Sequence, residues 1–241
     1  MQERYLGDVH DFYKFLFIKF LSLRLKQKIG LNWYLTDPYK ISYNEVKLND
    51  GEKRSFLKDS YNKILDNELF NEMNWLKEQK NRKLNNFQKN SHLKNNIVFF
   101  SKEINIESRE SWFDDSLNYF KNYDFIFLDP DNGLIPESFK TSKKNSLKYL
   151  LISEIKELIK QKKTIFFCQF QSFSIKHKLM LEKKKEMIEK IGLSINLPII
   201  RNRVSPNTFF ITIAQKNHEV VLEKIFNRYV TQQKKTELIY L

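Results

Sequence analysis

The stretch FIFLDPDNGL, residues 125–134, sets four apolar residues directly against two acids, an amide and a glycine. An uninterrupted apolar run of strand length reads as a strand buried on both faces, the kind found in parallel sheets under helices. Pro130 fixes the backbone just past the run and Gly133 permits a positive φ, so the turn between them displays Asp129, Asp131 and Asn132. A plain Asx-type turn closing a strand uses the same residue types. Ligands of open α/β sheets bind outside the carboxyl ends of the strands, so residues 129–133 are where a site is to be sought.

Outward from this stretch, helical and strand patterns alternate. A helix is expected from an Asp11 cap to about Lys28, stopped by Gly30, and then a strand LNWYLT, 31–36, ending at Asp37. Residues 52–90 are polar and helical in pattern and read as an inserted cap or arm at about 50–92. Further strands are expected at 96–101, 124–129 and 164–170, with helices at 108–122, 146–161 and 173–191. Strands at 194–200 and 207–214, joined by a short segment, form an antiparallel pair before a last helix at 217–230. The expectation is one α/β domain over 1–241 with a mainly parallel, doubly wound sheet, an antiparallel last strand and a helical insertion. The usual strand order places 31–36 beside 124–129, bringing Asp37 close to Asp129. Gln169 and Gln171 end the next strand on the same rim.

Composition narrows the function classes. The 241 residues carry a net charge of +13, which favours phosphate-bearing or otherwise anionic partners. The single cysteine, Cys168, lies inside the apolar run TIFFCQF, so a disulfide framework or thiolate zinc site within the chain is excluded, and the thiol reads as a structural one. His10, His92, His177 and His218 show no paired ligand spacing. No stretch approaches the roughly 20 apolar residues of a membrane span, and acids and lysines interrupt the first apolar run, so no membrane partner and a cytoplasmic location are expected.

The strand ending in Asp129-Pro130-Asp131-Asn132 resembles the (D/N)-P-P-(Y/F/W) motif of amino methyltransferases that modify adenine. The opening GDVHDFYKFLFIKFLSLRLKQKIGLNWYLTDP, residues 7–38, is similar to the start of ribosomal RNA adenine methyltransferases and three-Cys-motif partner proteins, where a helix with D-x-x-K spacing leads into the first strand. The chain also resembles a family of uncharacterised bacterial proteins with G-D-x-x-D-F-x-K and F-L-D-P-D-N-G. The resemblance implies a Rossmann-like sheet, S-adenosylmethionine as cofactor, and a nucleic acid or nucleotide as substrate. Carried over, Asp129 accepts from the substrate amine, Asp131 and Asn132 complete the catalytic motif, and Asn132 lies near a flipped base. Pro130 and Gly133 shape the substrate pocket, while Asp8, Lys14, Thr36 and Asp37 fall in the cofactor region. Two departures stand out: Asn132 replaces the stacking aromatic, and TDPYKISY follows the first strand in place of a glycine-rich loop.

The same carboxylates also read as hard-metal ligands. Asp129 and Asp131, joined by Asp37 or by Asp8 and Asp11, suit Mg²⁺ with a substrate phosphate, as in a nuclease or phosphoryl-transfer enzyme. A third reading is a non-catalytic nucleic-acid- or protein-binding module on a methyltransferase-like fold. Residues 141–190 hold 13 Lys against 5 Glu, interleaved with Tyr149, Phe170 and Phe173. Lys183, Lys184 and Lys185, extended by Arg201 and Arg203, are candidates for tracking phosphates on that face, which reads equally as two solvated helix faces.

Overall fold

Gly7, at φ +81, turns the chain into α1 (Val9–Leu25), and the side chain of Asp8 caps it by accepting from the His10 and Asp11 amides. The cap therefore falls at Asp8 rather than Asp11, whose side chain is committed elsewhere. The structure, a computed structural model, describes residues 1–47 and 53–241. After α1 come β1 (Ile29–Asn32), α2 (Pro38–Ile41), α3 (Tyr43–Lys47), α4 (Ser60–Leu65), α5 (Asn67–Trp75) and α6 (Leu84–Asn90). The chain continues through β2 (Ile97–Phe100), α7 (Arg109–Tyr119), β3 (Phe125–Leu128), α8 (Ile152–Lys160), β4 (Thr164–Phe170) and α9 (His177–Glu189). It closes with β5 (Ile199–Asn202), β6 (Thr208–Ile213), α10 (Glu219–Thr231) and β7 (Thr236–Ile239).

The seven strands form one open mixed sheet in the order β2-β1-β3-β4-β6-β5-β7. Strands β1 to β4 are mutually parallel, whereas β6 pairs antiparallel with both β4 and β5, and β5 antiparallel with β7. The first strand does lie beside the FIFL strand, with Gly30 opposite Ile126 and Asn32 opposite Leu128. Because β2 lies on one side of β1 and β3 on the other, the strand order switches direction at β1/β3. Asp129 stands at that point, its amide donating to Asn32 O at 3.0 Å.

Side-chain alternation along each strand divides the core into two layers. Phe125, Phe127, Phe166, Cys168 and Phe210 pack against Phe17 of α1 and Phe226 and Tyr229 of α10. Ile126, Leu128, Ile165, Phe167 and Phe209 face Trp112 of α7, Ile155 of α8 and Leu181 of α9 on the opposite side. The segment expected as an inserted arm belongs to the first layer: Phe56, Leu69, Met73, Leu84 and Phe87 are buried with α1. The part of that expectation covering residues 50–52 lies outside the described residues.

Several boundaries differ from expectation: α1 ends at Leu25, Gly30 lies inside β1 instead of stopping the helix, and the strand expected at 194–200 runs Ile199–Asn202. The first strand ends at Asn32 because Asn32 Oδ1 accepts from the Tyr34 amide at 3.1 Å and Tyr34 takes φ 47, which breaks the extended run. The edge strand β7, polar at Thr236 and Glu237, has too little apolar alternation to stand out from sequence. No helix among the described residues is long and apolar enough to cross a membrane.

Candidate functional site

The amino end of α1 and the carboxyl ends of β3 and β4 enclose a cleft of about 200 Å³. The i, i+3 spacing of Asp8, Asp11 and Lys14 turns all three toward it. Lys14 Nζ donates to Asp11 Oδ1 at 2.5 Å and to Asp129 Oδ2 at 2.6 Å, and lies 4.6 Å from the centre of the Trp33 ring. Asp11 Oδ2 accepts from the Gly7 amide at 2.8 Å, so this carboxylate is held from both sides. Lys14, Asp8, Asp11 and Asp129 are all buried. Flat apolar walls come from Tyr5, Pro130, Phe170 and Pro206, and the rim carries Lys53 and Lys148.

Three carboxylates and one ammonium, buried together, cannot all be charged without a large desolvation cost. The proton falls on Asp8: burial, reinforced by the negative charge of Asp11, pushes its carboxyl up to about 8. Burial alone would lower Lys14, but Asp11 and Asp129 outweigh it and hold the ammonium above its ordinary range. Burial raises Asp129 despite the opposing charge of Lys14. His10, also on the cleft, is pushed down to about 4 by burial and shares a 2.6 Å hydrogen bond between Nδ1 and Thr208 Oγ1. Near neutral pH the cleft therefore presents a protonated Asp8 that donates, the Lys14 ammonium and a neutral His10 imidazole. Burial and the charge of Asp129 raise the Cys168 thiol well above its ordinary range, which makes it an inert wall rather than a nucleophile.

The turn after β3 is rigidly strapped. The Asn132 amide donates to Lys148 O, the Leu150 amide to Gly133 O and the Ile135 amide to Leu150 O, each at 2.9 or 3.0 Å. Gly133 adopts φ +75, and a Cβ there would sit 2.4 Å from Gln169 Oε1, which instead accepts from the Leu134 amide at 3.0 Å. Gln169 thus acts as a tie between β4 and the turn. Asp131 is likewise committed, accepting from Thr36 Oγ1 at 3.3 Å and standing 3.0 Å from the Met1 amino group. The Asn132 side chain makes no hydrogen bond among the described residues and lines both this cleft and a neighbouring one.

The other residues singled out from sequence disperse. Asp37 caps α2 by accepting from the Tyr39 amide at 3.0 Å and lines neither cleft, because the first strand ends five residues before it. Thr36 is buried against Asp131 instead of facing the cleft. Gln171 and Lys183 line the neighbouring cleft with Lys184, whose Nζ donates to Leu134 O at 2.7 Å. Lys185 turns away to Leu241 O and Glu189. Arg201 pairs with Glu237 at 2.8 Å and Arg203 donates to Lys234 O, so both tie β5 to the β7 end of the sheet. Tyr5, Lys53 and Lys148 reach the cleft from segments that no sequence motif singled out, and His10 does so from a variable position inside the G-D-x-x-D-F-x-K motif.

A divalent ion is poorly served here, because the Lys14 ammonium stands between the carboxylates that would bind it. Among the described residues the group with metal-like spacing is Asp66, Glu68 and His92, far along the chain, where Lys19 already bonds Asp66 at 2.6 Å. Compared with family models, curated proteins and solved structures, the chain matches none.

Proposed function

We propose that the chain recognises a nucleic-acid or nucleotide base bearing an exocyclic amine, on a Rossmann-like sheet of the amino-methyltransferase kind. The observation that carries the reading is the 2.6 Å ion pair from Lys14 to Asp129. It joins the D-x-x-K helix to the D-P-D-N turn, the two motifs on which the resemblance stands, at the switch point of the sheet. Adenine and cytosine each present an amine donor beside a ring-nitrogen acceptor. A protonated Asp8 supplies the complementary donor and Asp129, held by Lys14 at 2.6 Å, the complementary acceptor in one cleft. Volume argues for a single base rather than a larger ligand, since about 200 Å³ is below the roughly 300–1,000 Å³ of drug-sized sites.

The methyl donor that the resemblance implies does not fit the β1 turn. Trp33 and Tyr34 fill it and are fully buried, Tyr34 packing on Trp112 at 5.0 Å and donating its hydroxyl hydrogen to Glu154. Gly30 offers no approach either, because a Cβ there would meet Phe120 at 2.6 Å. The reading is therefore base recognition with a proton-carrying acid in place.

Calorimetry with nucleosides tests it. Adenosine and cytidine bind, while inosine and uridine, which carry a carbonyl where the amine would be, bind at least about tenfold more weakly, in line with a mispaired polar contact. Binding of adenosine is lost as Asp8 ionises above about pH 8. Equal affinity for all four nucleosides, or none for any, overturns the proposal. Heat on titrating S-adenosylmethionine into the protein would restore the methyltransferase reading.

A further inference from the structure

Beside the base cleft lies a second and larger one, about 850 Å³, between the turn after β3, the end of β4 and α9. The two share Asn132 and Phe170, so the clefts adjoin across these two side chains. Its floor is apolar (Leu134, Met180, Met187); at the strand ends the Gln169 amide is spent on the turn, and the Gln171 Oε1 accepts from Asn207. Its charge is set by Lys183, Lys184 and Lys190 against Glu137 and Glu186. Glu137 is already neutralised by Lys190 at 2.8 Å, and Lys183 makes no ion pair among the described residues. At the mouth, the segment between β4 and α9 holds Phe173 out to solvent at 86% exposure, between Ser172 and Ser174 whose hydroxyls bond each other at 2.8 Å. Lys176 and Lys178 follow it along a shallow groove.

We infer that this second cleft receives the nucleotide flanking the recognised base, so that the protein takes single-stranded nucleic acid with one base in the small cleft and its neighbour across Phe170. The inference rests on the base-recognition reading of the small cleft and names its substrate. An aromatic face held in solvent, a lysine lacking an acidic partner and a cleft adjoining a base-sized pocket form the usual combination for strand binding: stacking on π-faces plus contact to backbone phosphate. A duplex is disfavoured, since the small cleft admits one base and a paired base must first be unstacked and unpaired.

The test uses the full chain, a fluorescent single-stranded oligonucleotide of about ten adenylates, and adenosine as a probe of the small cleft alone. Phe173→Ala and Lys183→Glu each weaken the oligonucleotide about tenfold, in line with the loss of one stacked base or one phosphate contact. Lys183→Glu also flattens the salt dependence of binding. Both surface variants bind adenosine as the wild type does, whereas Asp129→Asn loses adenosine and oligonucleotide together. Oligonucleotide affinity unchanged in both surface variants, with adenosine still bound, overturns the second-cleft assignment and leaves base recognition standing. Failure of the wild type to bind adenosine removes base recognition itself. Equal affinity for a duplex of the same sequence contradicts the single-strand assignment.

Discussion

Two buried ionic clusters lie on opposite faces of the same sheet, and they are built to opposite rules. On the α7/α8 side, Arg109 donates to both oxygens of Glu154, at 2.7 and 3.0 Å, and to the carbonyls of Ser146 and Tyr149. Glu154 also accepts from Tyr34 Oη and from the Leu151 amide, so one cation and one anion are enclosed with their hydrogen-bonding capacity spent. On the α1 side, Lys14 and the Met1 amino group face Asp8, Asp11, Asp129 and Asp131, the surplus of acids is relieved by a proton on Asp8, and the group opens onto a cleft. A balanced and saturated cluster holds the fold together. An unbalanced one that touches solvent retains capacity for a ligand.

The largest effect should come from breaking the closed cluster. Glu154→Ala strands a buried guanidinium and is expected to cost about 3–5 kcal/mol in urea unfolding. Adenosine affinity, corrected for the folded fraction, should be unchanged. A cost below about 1 kcal/mol would erase the contrast between the clusters. Next in size is the turn that supports the open cluster: Gly133→Ala forces a side chain onto a positive φ and into Gln169, at about 1–3 kcal/mol. The penalty should shrink when Gln169 is also replaced by Ala, because the steric part of the cost is shared between them. Strict additivity of the two changes would mean that the close approach is not what selects glycine.

Smaller still is the pH dependence, about 1 kcal/mol per pH unit. Asp8 keeps its proton in the folded state up to about 8 and loses it near 3.8 when unfolded. Between these values the native state binds more protons than the unfolded one, and stability falls as pH rises. His10 acts oppositely between about 4 and 6.5, where the unfolded state binds the extra proton. The two offset each other there, which leaves a net fall from pH 6.5 to 8 as the signature of Asp8. Asp8→Asn should flatten that window. An unchanged slope in the variant would place the surplus proton elsewhere in the cluster.

Much of this architecture was legible in FIFLDPDNGL. Its apolar run marks a strand covered on both faces, and its Pro and Gly mark a displayed turn, because those signals are local. Lys14 could be named only through a resemblance, and Asp8 only through it or as a candidate metal ligand. Their meeting with Asp129 depends on α1 crossing the sheet at β3, which no local pattern encodes. Asp37 misled for the converse reason: a hydrogen bond from the Tyr34 amide to Asn32 ends the strand early, and apolar side chains continue past it. Lys183 to Lys185 form a uniform run in sequence, yet helix geometry sends Lys184 inward to Leu134 O and Lys185 toward Leu241, leaving Lys183 on the cleft.

The central claim is that the α1-side cluster holds more charge than the fold requires, and Asp129→Asn tests it most directly. Calorimetry and urea unfolding on the same sample read binding and stability together. Lys14 retains Asp11 in this variant, and one surplus carboxylate is gone, so stability should move by no more than about 1 kcal/mol, far less than the roughly 3–5 kcal/mol of a broken buried pair. Adenosine binding should disappear. A loss of several kcal/mol in stability with adenosine affinity intact would contradict the account, and would make the Lys14–Asp129 pair a structural cluster like that of Arg109 and Glu154.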